Sequence, residues 1–371
     1  MTLFFGNFPS LSGQFDVGCR DIEWEDRQFS KKNSSDCKSV FMRLYYPARL
    51  KKGDTKANWV PHPDYAKALC DLAKLPTFVS NWLSKAASSK KTRFYQEADM
   101  LETEQPFPVI VFSHGLGGNR LVYSCICSDL ASHGFVVAAI EHREGSASLA
   151  KGIEDQWIRY VNIPPEIWSF RHHQLRHRVA EVNLTLDCLD HLAQKEFKGR
   201  LDMSQMVMAG HSFGGATTIL MLNDEESRFQ CGLLLDPWAQ PLMMMDKHIQ
   251  IKRPVIAILS EQFFFWPDNY ESVQELIDHA GCASQNVCLT LNGTEHQHQS
   301  DVMIVLRYLT LFDFRSPFQI HPSKAIELNT EASVQFIKNI LSAPKPLKRK
   351  KRKSTLRMMA KKPKISHLNL T

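Results

Sequence analysis

The sequence predicts an α/β fold, a mostly parallel central sheet with helices on both faces. Three observations carry that reading. From about residue 108 onward, short apolar runs rich in β-branched residues alternate with longer helix-compatible stretches, as in a sheet buried on both sides. Gly210-His211-Ser212-Phe213-Gly214 follows one such run directly and leads into a helical one. A second glycine-rich stretch, Ser113-His114-Gly115-Leu116-Gly117-Gly118, follows an earlier run.

The elements follow in order. Residues 39–46 alternate like a half-buried strand. Residues 64–86 are helical in pattern, with a break at Pro76. Residues 108–112 are too short and too β-branched for a helix, so they read as a strand. A helix is expected over about 119–133 and a second buried strand over 135–140. In the long helix expected at about 166–194, Leu175, Val179, Val182, Leu186, Leu189 and Ala193 recur at steps of three and four, forming one apolar stripe. His172, His173 and His177 are expected on its exposed side. Further strands read at 205–209, 231–235, 255–259 and 287–291, and helices at about 300–313 and 331–342. No internal repeat is visible.

Composition bounds the rest. The chain has 371 residues, 43% of them apolar, enough for one large core. No apolar run reaches the roughly 18 to 20 residues of a membrane-spanning helix. The first residues hold no basic and apolar leader pattern, so a signal peptide is not expected. With Thr2 at the second position glycine myristoylation is not expected, and neither is prenylation at the C-terminus. The nine cysteines are scattered and form no paired CxxC motifs. They read as mostly buried thiols in a reducing compartment, and the four N-x-[ST] sequons as unmodified. The formal charge is +6, but eleven Lys/Arg and no Asp/Glu fall between Lys345 and Thr371, which leaves −5 for the body. A catalytic domain is therefore expected over 1–343, and a basic, disordered tail over 344–371.

The 210–214 segment is a G-x-S-x-G motif in the strand-turn-helix setting that a nucleophile elbow needs. Such a turn lifts the serine hydroxyl above the sheet edge, at a helix N-terminus that favours negative charge. This points to the α/β-hydrolase fold, with Ser212 as nucleophile. A serine needs a base, which in this fold comes last in the chain, after an acid. His296 lies just past the strand at 287–291, nearer its end than the rival His298. The His296–His298 pair has no evident third ligand, so no metal and no cofactor are expected. Two residues compete for the acid from position alone: Asp236, ending the strand at 231–235, and Glu261, ending the next. The oxyanion hole needs two backbone N–H groups. Phe213 supplies one, and Leu116 in the 113–118 loop the other.

These residues form a set. Ser113-His114-Gly115-Leu116-Gly117, Leu130-Ala131-Ser132-His133-Gly134-Phe135, Val137-Ala138-Ala139-Ile140-Glu141-His142-Arg143 and Gly210-His211-Ser212-Phe213-Gly214-Gly215-Ala216-Thr217 resemble platelet-activating factor acetylhydrolases of the intracellular type II and plasma kinds. Asn7-Phe8-Pro9, Arg43-Leu44-Tyr45-Tyr46-Pro47 and Trp59-Val60-Pro61 extend the resemblance over about 7–342. It implies a calcium-independent phospholipase A2 activity that releases acetyl or short, oxidised acyl groups from the sn-2 position. It implies the triad Ser212, Asp236 and His296, choosing Asp236 over Glu261 through an L-D-x-W motif, with oxyanion donors at Leu116 and Phe213. The basic tail departs from the family pattern. Thr2 stands where some intracellular relatives carry a myristoylated glycine.

The implied substrate lies in a lipid surface. Phe78, Val79, Trp82 and Leu83, with Lys85, Lys90 and Lys91 beyond, suit a helix at a membrane interface. Met303, Ile304, Leu306 and Leu309 form a weaker second candidate. A phospholipid surface is thus the expected partner, with a cytoplasmic location and peripheral membrane association. The tail lacks aromatic residues, so no specific nucleic-acid partner is expected, although its basic block is compatible with nuclear import. The rival readings are a general carboxylesterase or neutral lipase on the same fold, and a non-catalytic interaction protein using the tail.

Overall fold

A computed structural model describes residues 7–25, 37–152, 156–164, 167–245, 248–305 and 320–343. The basic tail, and residues 306–313 of the helix expected at 300–313, lie outside them. The elements run β1 (Val17–Glu25), β2 (Ser39–Arg49), β3 (Lys56–Asn58), α1 (Pro63–Leu72), α2 (Thr77–Ser88), β4 (Lys91–Gln96), β5 (Asp99–Met100) and β6 (Phe107–Ser113). Next come α3 (Ser124–Ser132), β7 (Val136–Glu141), β8 (Leu149–Lys151), β9 (Trp157–Arg159), α4 (Trp168–Lys195), β10 (Leu201–His211) and α5 (Phe213–Leu222). The chain continues with β11 (Phe229–Leu235), α6 (Gln240–Met243), β12 (Val255–Ser260), α7 (Pro267–Asp278), β13 (Val287–Leu291), α8 (Val302–Val305) and α9 (Pro322–Ser342).

The main sheet has the order β13-β12-β11-β10-β6-β7-β2-β1-β4-β3, with β5 paired to β2. Strands β13 to β7 of that order are parallel; β2 runs antiparallel to both β7 and β1. The fold class expected from the sequence is the one observed. From β6 the chain goes outward to β7, then returns through α4 to β10 on the other side. The switch point therefore lies between β6 and β10, where α/β sheets open a crevice at the carboxyl ends of their strands. Ser113 pairs with Gly210 there, which brings both glycine-rich segments to one edge.

Each face of the sheet carries its own core. One face buries Ile110, Phe112, Val137 and Leu233 against α1, α2, α3 and α9. The other buries Val109, Val111, Met208 and Leu234 against α4, α5 and α7. The α4 stripe is as expected: Leu175, Val182, Leu186 and Leu189 are buried in the second core, and Val179 packs at its margin. Each such side chain contributes roughly 1.5–3 kcal/mol on burial.

Three elements differ from their sequence reading; the last helix, α9, starts at Pro322 rather than at about residue 331. Strand β2 is buried on both faces rather than half-buried, because β1 and β7 flank it and helices cover both sides. Its Arg43 is tolerated inside because Asp21 of β1 accepts from Nε at 2.7 Å and Nη2 at 2.8 Å. Helix α3 starts at Ser124, five residues later than expected. Residues 114–123 are held instead in turns, with Gly117 at φ 71° and the Asn119 side chain accepting from Leu121 N–H at 2.9 Å. The Asp301 carboxylate, from far along the chain, accepts from Ser124 N–H and Cys125 N–H at 2.9 Å each, and so sets the helix start. It also accepts from Trp59 Nε1 at 2.9 Å.

Asp21 yields a first prediction. Besides Arg43 it accepts from Arg120 Nη2 at 3.0 Å. Burial pushes its pKa up, but Arg43 and Arg120 outweigh burial and hold it well below the usual carboxylate range. The ionised carboxylate therefore stabilises the fold above the unfolded pKa of about 4, and that contribution is lost as pH falls through the lowered folded value. Asp21→Asn should cost about 3 kcal/mol at pH 7, since it takes the counter-charge from the buried Arg43 guanidinium, while Arg120 keeps Glu141. The deficit should shrink at pH 3. Urea unfolding of both proteins at the two pH values measures this; a pH-independent difference would refute it.

Candidate active site

Ser212 sits between β10 and α5 with φ 55° and ψ −118°. This is a backbone conformation that L-residues rarely adopt, costing on the order of 1–3 kcal/mol. Its neighbours hold it there. Ser212 N–H donates to Leu235 O at 2.9 Å, and Ser212 O accepts from Gly215 N–H at 2.8 Å and Trp238 N–H at 2.9 Å. The motif glycines serve close approach. A Cβ at 210 would meet Gly214 O at 2.2 Å, and one at 214 would meet Ser113 O at 2.0 Å.

Asp236 follows β11 with φ 41° and is fully buried. Its Oδ1 accepts from Ser260 N–H at 2.6 Å and its Oδ2 from Ser260 Oγ at 2.6 Å. His296 Nδ1 lies 3.1 Å from Oδ2. A carboxylate already accepting twice fixes the proton on Nδ1 and leaves Nε2 with its lone pair. Glu261, the rival acid, instead accepts from Gly293 N–H at 2.6 Å and braces the loop before His296. The other imidazole, His298, is buried, and its Nδ1 accepts from Glu295 N–H at 2.9 Å in a reciprocal cap. Burial pulls its pKa down.

Ser212 and His296 line one cavity of about 290 Å³. No hydrogen bond joins the two side chains among the described residues; such contacts commonly close only when substrate docks. The walls are apolar: Trp59, Leu69, Leu72 and Leu83 face Gly115–Gly118 across it. Leu116 belongs to that loop, and Phe213 opens α5 beside Ser212. Among the described residues neither backbone N–H meets an acceptor.

Buried groups tie these parts together. The His211 ring bridges the two loops. Its Nε2 lies 3.1 Å from His296 O and its Nδ1 2.8 Å from Tyr123 OH, which accepts from Gly115 N–H at 3.1 Å. Burial pulls the His211 pKa well down, so the ring is neutral. Nε2–H then donates to His296 O, and Nδ1 accepts from Tyr123. His211, Asp236 and His296 place ligand atoms within 4.8 Å of one another. These hydrogen bonds already use those atoms, as they do the carboxylate of Glu181 in the clusters with Cys37, His177, His142 and Glu144.

The sequence is matched over residues 5–355 by the family model described as platelet-activating factor acetylhydrolase, isoform II. The chain belongs to that family. A platelet-activating factor acetylhydrolase from Canis lupus familiaris is 33% identical, with 91% of this chain and 78% of that protein covered. One from Bos taurus is 32% identical at the same coverage. A putative phospholipase A2 from Schizosaccharomyces pombe is 26% identical over 89% of this chain and 91% of its own length. A ferulic acid esterase from Streptomyces cinnamoneus, 18% identical, superposes with a TM-score of 0.69 over 93% of this chain and 96% of that one, a likeness of fold. As a member of the acetylhydrolase family, the chain is an ester hydrolase of phospholipase A2 type, acting on platelet-activating-factor-like phospholipid esters.

Several expected placements need correction in this family member. Phe78 and Trp82 are 77% and 45% exposed, but Leu83 is 2% exposed and lines the cavity, and Val79 packs at the core margin. Positions 78 and 82 share one helical stripe while 79 and 83 lie about 100° away, so the four do not form one outward face. Ile304 is likewise buried; Leu306 and Leu309 lie outside the described residues. Of His172, His173 and His177, expected on the exposed side of α4, only His173 is exposed. His172 Nε2 lies 2.8 Å from Pro241 O, and His177 lies 3.5 Å from Glu181. All nine cysteines are free thiols, six of them buried. Among the described residues no helix is long and apolar enough to cross a membrane.

Sequence reading misses the supports. Arg178, Glu181, Asp301 and Tyr123 are ordinary residues in ordinary helical or loop context. Within the Glu141-His142-Arg143 triplet, His142 lies 2.7 Å from Ser113 Oγ and 2.6 Å from Glu181 Oε2. The motif signals that the triplet matters but carries no sign of its partners.

Proposed function

We propose that Ser212 is the nucleophile, His296 the general base, and Asp236 the residue that orients its imidazole. Leu116 and Phe213 N–H groups stabilise the oxyanion. The reading rests above all on one observation: a serine strained into positive φ shares a cavity with an imidazole whose Nδ1 is held by a buried carboxylate. His296 Nε2 takes the Ser212 proton as Oγ attacks the sn-2 carbonyl. The tetrahedral intermediate collapses, and the same proton passes to the departing lysophospholipid oxygen. Water, deprotonated by His296, then cleaves the acyl-serine and releases the free acid.

The substrate class is an sn-2 acetyl or short, oxidised acyl phospholipid, hydrolysed without calcium. The confined apolar cavity supports this, as do the names of the relatives. Purified protein should hydrolyse 2-acetyl phosphatidylcholine in EDTA at the rate seen in calcium, and faster than its long-chain sn-2 analogue or a triacylglycerol. Preference for triacylglycerol would favour the neutral-lipase reading, and inactivity in EDTA would end the calcium-independent one.

The exposed stripe of α2 is the proposed lipid contact. Phe78 and Trp82 face outward on a helix whose neighbouring stripe, at Leu83, lines the cavity. Seating that stripe in a membrane brings the substrate's own surface to the mouth of the site. Phe78→Ser with Trp82→Ser should weaken sedimentation with phosphatidylcholine vesicles at least tenfold, since each ring buried is worth about 1.5–3 kcal/mol. Turnover of a monomeric, water-soluble ester should change less than threefold. Unchanged vesicle binding would remove α2 from the interface. A reducing, cytoplasmic setting suits the nine free thiols.

A further inference from the structure

Arg178 is fully buried on α4, beneath the site rather than in it. Its Nη1 donates to His114 O at 2.6 Å and lies 3.4 Å from Ser113 Oγ. Its Nη2 donates to Ser146 Oγ at 2.5 Å and its Nε to Glu144 Oε1 at 2.7 Å. Ser146 O in turn accepts from Gly117 N–H at 2.8 Å. The chain is thus tied to one guanidinium on both sides of Leu116: directly at His114, and through Ser146 at Gly117. The guanidinium carbon also lies 4.7 Å from the centroid of the Phe213 ring, over its face. One side chain therefore braces both residues whose N–H groups form the proposed oxyanion hole.

We infer that Arg178 is a positioning residue for the oxyanion hole, acting through the His114 carbonyl, Ser146 and the Phe213 ring. This rests on the reading of Leu116 and Phe213 given above. A buried ion pair such as Arg178–Glu144 is weak evidence of stabilisation, since apolar replacements often hold a fold as well. What an apolar residue cannot do is grip three oxygens in fixed directions while its plane packs on a ring. Lysine cannot either, because it lacks the planar fork. The two donors act on charge that develops only in the transition state. Loosening them should therefore lower kcat and leave substrate binding alone.

The experiment compares wild type, Arg178→Lys and Ser146→Ala in the full chain, on a water-soluble acetyl ester. Active sites are counted by fluorophosphonate titration, so kcat refers to folded, competent enzyme. Arg178→Lys should lower kcat about 100-fold, the effect of losing one oxyanion donor, with KM within threefold. A trifluoromethyl ketone, which forms a tetrahedral oxyanion on the serine, should lose affinity in parallel with kcat/KM. Ser146→Ala, which cuts one arm and keeps the buried charge pair, should lower kcat about tenfold with the same parallel loss; should Arg178→Lys fail to fold, this variant decides alone. Normal kcat per titrated site, or reduced kcat with unchanged ketone affinity, would overturn the inference. Ser212→Ala, run beside them, separates the two readings. If it stays active, the assignment of the nucleophile fails. If it is inactive while Arg178→Lys and Ser146→Ala turn over normally, only the role of Arg178 fails.

Discussion

Ser212→Ala is expected to lower ester turnover on the order of 10⁶-fold, the loss seen when a triad nucleophile is removed. It should also abolish covalent labelling by a fluorophosphonate. Alanine occupies the same volume and meets the same backbone strain at φ 55°, so the fold should survive. A melting temperature close to wild type would show that the loss is chemical. Labelling that persists in the variant would place the reactive hydroxyl elsewhere and refute the assignment.

Asp236→Asn is expected to cost about 10⁴-fold in kcat, for a reason specific to this site. Ser260 N–H holds Oδ1 at 2.6 Å, so an asparagine keeps its carbonyl there and turns its NH₂ toward Ser260 Oγ and His296 Nδ1. An NH₂ cannot accept from Nδ1–H. The ring is driven to the tautomer that carries its proton on Nε2, where it cannot take one from Ser212. Glu261→Gln is the control. Its side-chain carbonyl still accepts from Gly293 N–H, which Glu261 now meets at 2.6 Å, so kcat should fall less than tenfold. Equal losses in the two variants would reopen the choice of acid that sequence position alone leaves undecided.

What can be read from the sequence is what local pattern dictates. The strands at 108–112, 135–140, 205–209, 231–235 and 255–259 are short, apolar and bounded, and the observed strands contain all but the first residue of one of them. The α4 stripe follows from period alone. Errors fall where a distant partner decides. Nothing near residue 124 says that a carboxylate from Asp301 will cap a helix there. Nothing near Arg43 says that Asp21 and two covering layers will let a charge lie inside β2. On α2 both adjacent stripes are apolar, so composition cannot tell which is covered, and Leu83 goes inward while Trp82 stays out. The catalytic candidates are legible because their spacing carries chemistry. Arg178 is not, since its role exists only once α4 has packed beneath β6 and β10.

Asp301 ends the turn that begins with His296, and its carboxylate is also the anchor for the first amides of α3 and for the Trp59 indole in the cavity wall. The segment carrying the imidazole is therefore not a free surface loop. Letting it swing away would strip four donors at once, Ser124 Oγ included, and fray a helix packed deep against the sheet. Its stiffness is inherited from the interior.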